Sequence, residues 1–182
     1  LGNGTLDVLP GLQVEDVERL RRDHPEIDVV RRGKRYLDYI AWNLEDERFA
    51  DVEVRRALAH AIDVDTLIGA LLTSGDQRYA SRAVGTVSPE LQGVGQPGIE
   101  PLAHDPDRAR QLLATAGWTD SDDDGWLDRE GERFTFTLST NAGNPRREQA
   151  QLILQEQLRQ VGVDVQISRL EGNVFYQRLR EH

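Results

Sequence analysis

Alternating aspartates form the motif whose chemistry is easiest to read from this sequence. Their spacing matches the first nine positions of a calcium-binding loop, and the matching residues are Asp120, Asp122, Asp124, Gly125, Leu127 and Asp128. Calcium binds roughly six to eight oxygen atoms, and carboxylates at alternate positions can surround it. The twelfth position of such a loop is a bidentate Glu, but here it is Gly131, and a strand-like segment follows instead of a helix. Two interpretations stay open, a calcium-binding loop and a solvated turn.

A second polar segment runs from Thr140 to Arg146 and follows a strand-like stretch. It contains Asn141 and Asn144, and the pair Asn144-Pro145 is typical of a helix start. The segment therefore joins the carboxyl end of a strand to the N-terminus of a helix. In open α/β sheets, this is where backbone N–H groups and amide side chains meet ligands. The alternatives are a loop that contacts a ligand and a well-capped connection.

Other catalytic and metal-binding motifs are missing from the sequence. There is no Cys, no Gly-x-Ser-x-Gly element, and no pair of its four histidines has a metal-binding spacing such as H-E-x-x-H. Residues 93–98 match a dinucleotide fingerprint in letters, but they lack the preceding strand and following helix that it requires. We predict a protein without catalysis and without a cofactor. A glycosidase-type pair of carboxylates, whose separation sequence does not give, stays as the third hypothesis.

Apolar residues at helical and alternating spacings predict the elements that position these segments. The expected helices cover residues 14–20, 51–72 with a break and cap at Asp63, 106–116 after the cap Asp105, 145–161, and a last helix around 175–179. The expected strands cover residues 133–140 and 163–167, with further extended stretches at 5–8 and 36–42.

The order of these elements predicts the fold class. The unit strand–helix–strand at 133–168 is a β-α-β crossover, so its two strands should be parallel. We predict an α/β fold in which a mixed sheet is flanked by helices, organised as a single domain over residues 1–182. Periodicity disappears between residues 73 and 103, which predicts a long irregular loop within that domain.

Composition and charge exclude several classes of partner. The 182 residues carry a net charge of −10, which would repel a nucleic-acid backbone and anionic lipid. No apolar run approaches the roughly 20 residues that span a bilayer. The chain does not begin with Met and contains no recognisable signal peptide, so we expect a processed chain or a piece of a longer protein.

Several segments, in the right order, resemble the extracellular solute-binding proteins of family 5, the dipeptide, oligopeptide and nickel class that serves ABC importers. The most specific segment is 51–63, which is similar to the family pattern D-V-R-V-R-x-A-L-x-x-A-I-D, with Glu53 in place of the common Arg. The other matching segments are 4–8 (G-x-x-D-hydrophobic), 39–43 (an aromatic strand ending in Asn), 104–118 (Y-D-P-E-K-A-K-x-L-L…A-G-W, with His104 for Tyr), the Asp-rich turn, the Phe134 strand and 158–165 (L-x-x-x-G-V-x-V).

The resemblance implies a type II periplasmic-binding-protein-like clamp of two lobes. This chain would be most of the second, carboxy-terminal lobe, without the first. The implied ligand-binding residues are Asn43, near the hinge, and Asn141, Asn144 and Arg146, in the segment that faces the cleft. The charges of the 51–63 motif are expected to be structural and to tie its helix to neighbouring loops.

The resemblance also implies partners and a location. These are a small-molecule or peptide ligand in the intact parent, an ABC permease in the membrane, and a periplasmic or extracellular site, with a cell-surface lipoprotein as one form. Peptide is the leading ligand, and nickel complexes and sugars are alternatives. An isolated lobe holds half a cleft, so we expect weak binding or none.

Overall fold

The computed structural model describes residues 5–31, 36–85 and 98–181. The chain forms two compact units, one of residues 1–38 and 65–101 and the other of residues 39–64 and 102–182. The organisation of residues 1–182 as one domain stays a prediction.

Seven helices and six strands make up the described part of the chain. The helices are α1 (Val14–Asp23), α2 (Glu47–Ala50), α3 (Val52–Ala61), α4 (Val64–Leu71), α5 (Pro106–Thr115), α6 (Pro145–Arg159) and α7 (Gly172–Glu181). The strands are β1 (Thr73–Ser74), β2 (Gln77–Arg78), β3 (Asp128–Arg129), β4 (Glu132–Arg133), β5 (Thr135–Asn141) and β6 (Asp164–Leu170). They pair as two antiparallel hairpins, β1–β2 and β3–β4, and one parallel pair, β5–β6. The predicted α/β class is confirmed, with small separate sheets in place of one mixed sheet.

The first unit is built on α1, most of α4 and the β1–β2 hairpin. Among the residues of this unit that the structure describes, the buried apolar side chains are those of Val17 on α1 and Ile68 on α4. The Thr73 hydroxyl donates to the Ile68 carbonyl oxygen at 3.1 Å and so joins the hairpin to the end of α4. This hairpin opens the segment 73–103, which was expected to be irregular throughout. Residues 86–97, which hold most of the glycine-rich 93–98 match, lie outside the described residues.

The second unit is centred on the β5–α6–β6 crossover. The two strands are parallel, in a register that runs from Thr135↔Asp164 to Asn141↔Leu170, as the crossover pattern predicts. Phe134 is fully buried and its ring centroid lies 4.4 Å from that of Trp118. Leu158 and Val165 are buried with them. Apolar burial on this scale supplies most of the driving force for folding the unit.

Two of the predicted helix caps are confirmed. The Asp105 carboxylate accepts from the Arg108 backbone N–H at 2.9 Å before α5, and the Asn144 side chain accepts from the Arg147 N–H at 3.2 Å before α6. Gly162 follows α6 with φ +80°, a conformation that side chains with a Cβ disfavour. The helical run 51–72 breaks between Ala61 and Val64 as predicted. Within the described segments, no helix has the length and apolar character to cross a membrane.

The 51–63 motif is held to its surroundings by polar contacts. Arg55 Nη1 donates to the Phe49 and Ala50 carbonyl oxygens at 2.6 and 2.9 Å. His60 Nδ1 lies 2.8 Å from the Ala103 carbonyl oxygen. These contacts agree with a structural role for the charges of this motif.

Two strand predictions are wrong. Residues 5–8 and 36–42 belong to no strand of the described residues, and the backbone bends at Thr5 and Asp7. A strand forms only when its backbone hydrogen-bonds to a neighbouring strand. Aromatic and β-branched residues indicate only that the side chains suit a half-buried pleated surface. Here Tyr36 and Tyr39 are 74% and 72% exposed, and no described strand lies beside them.

Candidate functional site

The strand-to-helix turn, residues 141–146, is built as the sequence predicted. β5 ends at Asn141 and α6 begins at Pro145. The Ala142 N–H donates to the Leu170 carbonyl oxygen at 2.7 Å, which ties the start of the turn to the end of β6. The turn therefore lies at the carboxyl ends of two parallel strands and at the positive end of a 15-residue helix.

Two side chains from the first turn of α6 organise the strand-to-helix turn. Arg147 Nη1 donates to Asn141 Oδ1 at 2.7 Å. Glu148 Oε1 accepts from the Gly143 N–H at 2.9 Å, and its other oxygen lies 3.4 Å from Nη1 of Arg169. Arg169 comes from β6, where it is in register with Thr140. Strand, turn, helix and neighbouring strand are thus connected by charge-assisted contacts, which are stronger than neutral ones.

The predicted ligand-binding residues fall in two places. Asn141, Asn144 and Arg146 come together in the strand-to-helix turn, and all three are half-buried. Asn43 does not join them. It is exposed, and its Oδ1 accepts from the Glu45 N–H at 3.0 Å. It follows Trp42, whose ring lies 5.8 Å from that of Phe136, near the other end of β5.

Sequence reasoning missed the residues that support the turn. Arg147 and Glu148 were not singled out, although an acidic residue in the first turn of a helix is a recognised signal. Arg169 carries no local signal, because only the strand register brings it to Glu148. Gln151 was also missed: it is 3% exposed and its amide nitrogen donates to the Leu138 and Ser168 carbonyl oxygens at 2.7 and 3.1 Å.

The acidic loop, residues 120–128, brings together three of its four predicted ligands. Carboxylate oxygens of Asp120, Asp122 and Asp124 lie within 4.8 Å of one another on the surface. Asp128 is not in that group, and it accepts from the Ser121 N–H and hydroxyl at 3.0 and 2.7 Å. These hydrogen bonds lower the pKa of Asp128 below its usual range. The structure thus offers three carboxylates to a cation.

Hydrogen bonds inside the acidic loop already use the same oxygens. The two oxygens of Asp120 accept from the Asp124 and Gly125 N–H groups at 3.1 and 2.9 Å. Asp124 pairs with Arg133. A surface pocket of about 180 Å³ beside the loop is lined by Asp122, Asp124 and Asp128, among other residues. A glycosidase-type hydrolase needs one carboxyl as a general acid with a raised pKa, whereas the hydrogen bonds from Ser121 lower the pKa of Asp128.

Comparison with known proteins identifies the class. All 182 residues match the family of bacterial extracellular solute-binding proteins, family 5, in its middle region. The chain belongs to this family, whose members are solute-binding proteins.

Individual relatives bear names that refer to peptides. The chain is 35% identical over 142 residues to the oligopeptide-binding protein AppA of Bacillus subtilis, covering 78% of this chain and 25% of that protein. It is 32% identical over 166 residues to the di/tripeptide-binding protein 2 of Pseudomonas aeruginosa, covering 91% of this chain and 28% of that protein. The chain thus spans about a quarter of the length of the curated relatives it matches.

Solved structures confirm the fold. The structure of AppA from Bacillus subtilis in complex with a nonapeptide has a TM-score of 0.66 at 33% identity, covering 76% of this chain and 27% of that one. NikA from Brucella suis in complex with Fe(III)-EDTA has a TM-score of 0.61 at 28% identity, covering 76% and 27%. The similarity therefore extends to proteins with chemically different ligands.

Proposed function

We propose that the chain is part of a protein that binds a solute, in the first place a peptide, for import by an ABC transporter. Family membership and the peptide-binding relatives support this function. The observation that carries it is the strand-to-helix turn, because it gathers two amide side chains and an arginine at the carboxyl ends of β5 and β6.

Within this function, Asn141, Asn144 and Arg146 contact the ligand. An amide can donate to the carbonyl groups of an extended peptide, and an arginine can pair with a carboxylate. Asn43 acts separately, at the other end of β5, where the chain would pass near a hinge.

The proposal includes the partners of a two-lobe clamp. This chain forms much of the second lobe, another lobe completes the cleft, and an ABC permease receives the solute. The protein works in the periplasm or outside the cell, as a free or a lipid-anchored protein. Nickel complexes and sugars are the alternative ligands, and the complex of NikA with Fe(III)-EDTA supports a metal complex as a ligand class for this fold.

Calorimetric titration tests the ligand class. The protein encoded by the complete reading frame that includes residues 1–182 is titrated with trialanine, with a soluble nonapeptide of Ala, Gly and Ser, and with a nickel–histidine complex. We expect saturable binding of a peptide and a loss of affinity of about tenfold in Asn141→Ala, since one hydrogen bond to a ligand contributes roughly that much. Gln111→Ala, an exposed residue on α5, is the control. Saturation by the nickel complex alone would contradict the peptide assignment.

A calcium-binding interaction module is the second candidate, supported by the three carboxylates within 4.8 Å of one another. Calcium bound only by the folded state would raise the melting temperature, and a chelator would reverse the rise. The double variant Asp120→Asn/Asp122→Asn should abolish the effect. An unchanged melting temperature at millimolar calcium would leave the loop as a solvated turn.

A further inference from the structure

We propose that Arg147 is a positioning residue that fixes the Asn141 amide with its nitrogen directed away from the guanidinium, so that the strand-to-helix turn presents hydrogen-bond donors to an acceptor group of the ligand. The acceptor is a backbone carbonyl or the carboxylate of a peptide. The inference rests on the proposed function of the turn and names the chemistry that the turn selects.

The contact between Arg147 and Asn141 determines the orientation of the amide. Nη1 of Arg147 and Oδ1 of Asn141 are 2.7 Å apart, in a partly buried position. A guanidinium stays protonated and has donors only. The reversed amide would place its NH2 group against those donors, so the chemistry allows one orientation. The Asn141 nitrogen therefore lies on the opposite side of the amide, 3.5 Å from the Ala142 carbonyl oxygen, which is the limit of a hydrogen bond.

The remaining side-chain oxygens of the turn also receive donors. Asn144 Oδ1 accepts from the Arg147 N–H at 3.2 Å. The two oxygens of Glu148 are engaged by the Gly143 N–H and by Arg169.

The amide nitrogens are in a different situation. The described residues supply no acceptor to Asn144 Nδ2, and the contact of Asn141 Nδ2 is long. The side chains of the turn therefore direct donors to a ligand, whereas their oxygens already accept hydrogen bonds within the protein. A site of this kind disfavours a ligand group that can only donate, since such a group would leave polar atoms unpaired on both sides.

A double-mutant cycle tests the positioning role. The protein encoded by the complete reading frame that includes this chain is titrated with trialanine and with the nonapeptide of Ala, Gly and Ser. We expect Arg147→Met and Asn141→Ala each to weaken binding about tenfold, and the double variant to bind no more weakly than Asn141→Ala. Arg147→Lys should recover most of the affinity, since an ammonium group can also donate to Asn141 Oδ1. Arg159→Met, an exposed arginine at the far end of the same helix, is the matched control.

The variant Asn141→Asp tests the selection of acceptors. An aspartate keeps an oxygen for Arg147 but replaces the outward donor by an acceptor. We expect it to weaken binding at least as much as Asn141→Ala, with an unchanged melting temperature. Binding by Asn141→Asp equal to that of the unaltered protein would overturn the inference.

The remaining outcomes separate the inference from the proposed function. If Asn141→Ala weakens binding but the effect of Arg147→Met persists unchanged in that background, Arg147 has a merely structural role and the inference is wrong. If Asn141→Ala binds normally, or if neither peptide binds the unaltered protein, the proposed function of the turn fails and the inference fails with it.

Discussion

At the scale of single residues, side chains of this protein act largely on the backbone. Asp105 and Asn144 accept from backbone N–H groups at helix starts, and Gln157 donates to and accepts from the backbone of Asp63. Such contacts are local or depend on one close approach. The caps were predictable from sequence, because a cap needs only the right side chain before a helix. The Gln157 contact was not, because it joins positions far apart in the chain.

Gly162 gives a prediction at this scale. Its φ is +80°, and a Cβ at this position would lie 2.9 Å from the Cγ of Leu127. Gly162→Ala should therefore lower the free energy of unfolding by about 2 kcal/mol, through backbone strain and overpacking. Urea unfolding measures the change. Gly172→Ala is the matched control, because no atom lies within 4 Å of a Cβ there, and a change of the same size in both variants would contradict the explanation.

The pair of Asp46 and Arg48 predicts a dependence on pH. Hydrogen bonding from Arg48 lowers the pKa of Asp46 in the folded protein. The folded state therefore binds this proton less tightly than the unfolded state. The ionised Asp46 carboxylate therefore stabilises the folded protein at pH values above the ordinary Asp pKa of about 3.9. This stabilisation is lost as pH falls through the lowered pKa that Asp46 has in the folded state.

Asp46→Asn removes that contribution. We expect the variant to be less stable than the unaltered chain at about pH 7 and the difference to be smaller at about pH 3, as measured by urea unfolding at each pH. A difference that stays constant between the two pH values would show that the pair contributes no linked protonation.

At the scale of elements, the β5–α6–β6 crossover was predictable from sequence. The absence of strands at residues 5–8 and 36–42 was not. Alternation from Phe134 to Thr140, the Asn144-Pro145 start and the Gly162 stop lie within one continuous stretch, so local signals agree with the long-range pairing. Residues 36–42 carry an equally good strand composition, but pairing depends on a partner that local sequence does not reveal.

Gln151 provides the prediction for this crossover. Its amide nitrogen donates to carbonyl oxygens of both strands, Leu138 in β5 and Ser168 in β6, and thereby joins the helix to the sheet. Gln151→Glu would place a buried carboxylate against two carbonyl oxygens and should cost about 3 kcal/mol near pH 7. Gln151→Leu should cost less, about 1 to 2 kcal/mol, because it leaves no buried charge.

Chemical unfolding of the two Gln151 variants measures both costs. The cost of Gln151→Glu should fall at lower pH, where the carboxyl takes up a proton. Equal costs for Glu and Leu would indicate that the nitrogen does not act as the donor to both strands.

At the scale of the whole molecule, the family was recognisable from ordered segments, whereas the ligand was not. Segments 51–63 and 104–118 contain the helices α3 and α5 with their caps, which serve the fold of this chain. We expect the ligand to depend on a few side chains in the strand-to-helix turn, which the shared fold does not specify. The solved structures of similar fold include a complex of AppA with a nonapeptide and a complex of NikA with Fe(III)-EDTA.

The isolated 182-residue chain should bind trialanine weakly or not at all. It covers about a quarter of the length of its relatives, so it would supply one side of a binding cleft. Isothermal titration of the chain and of the protein encoded by the complete reading frame, under the same conditions, measures the difference in affinity. Micromolar binding by the isolated chain would contradict this expectation.

Hydrogen exchange measured by mass spectrometry tests the central claim, that the strand-to-helix turn contacts the solute. Exchange in the protein encoded by the complete reading frame is compared with and without a saturating concentration of the peptide that the protein binds. The account predicts slower exchange in the segment 140–147 on peptide binding, with little change in α5, because the latter lies away from the turn in sequence and serves as an internal reference. Unchanged exchange in 140–147, together with protection elsewhere in the protein, would contradict it.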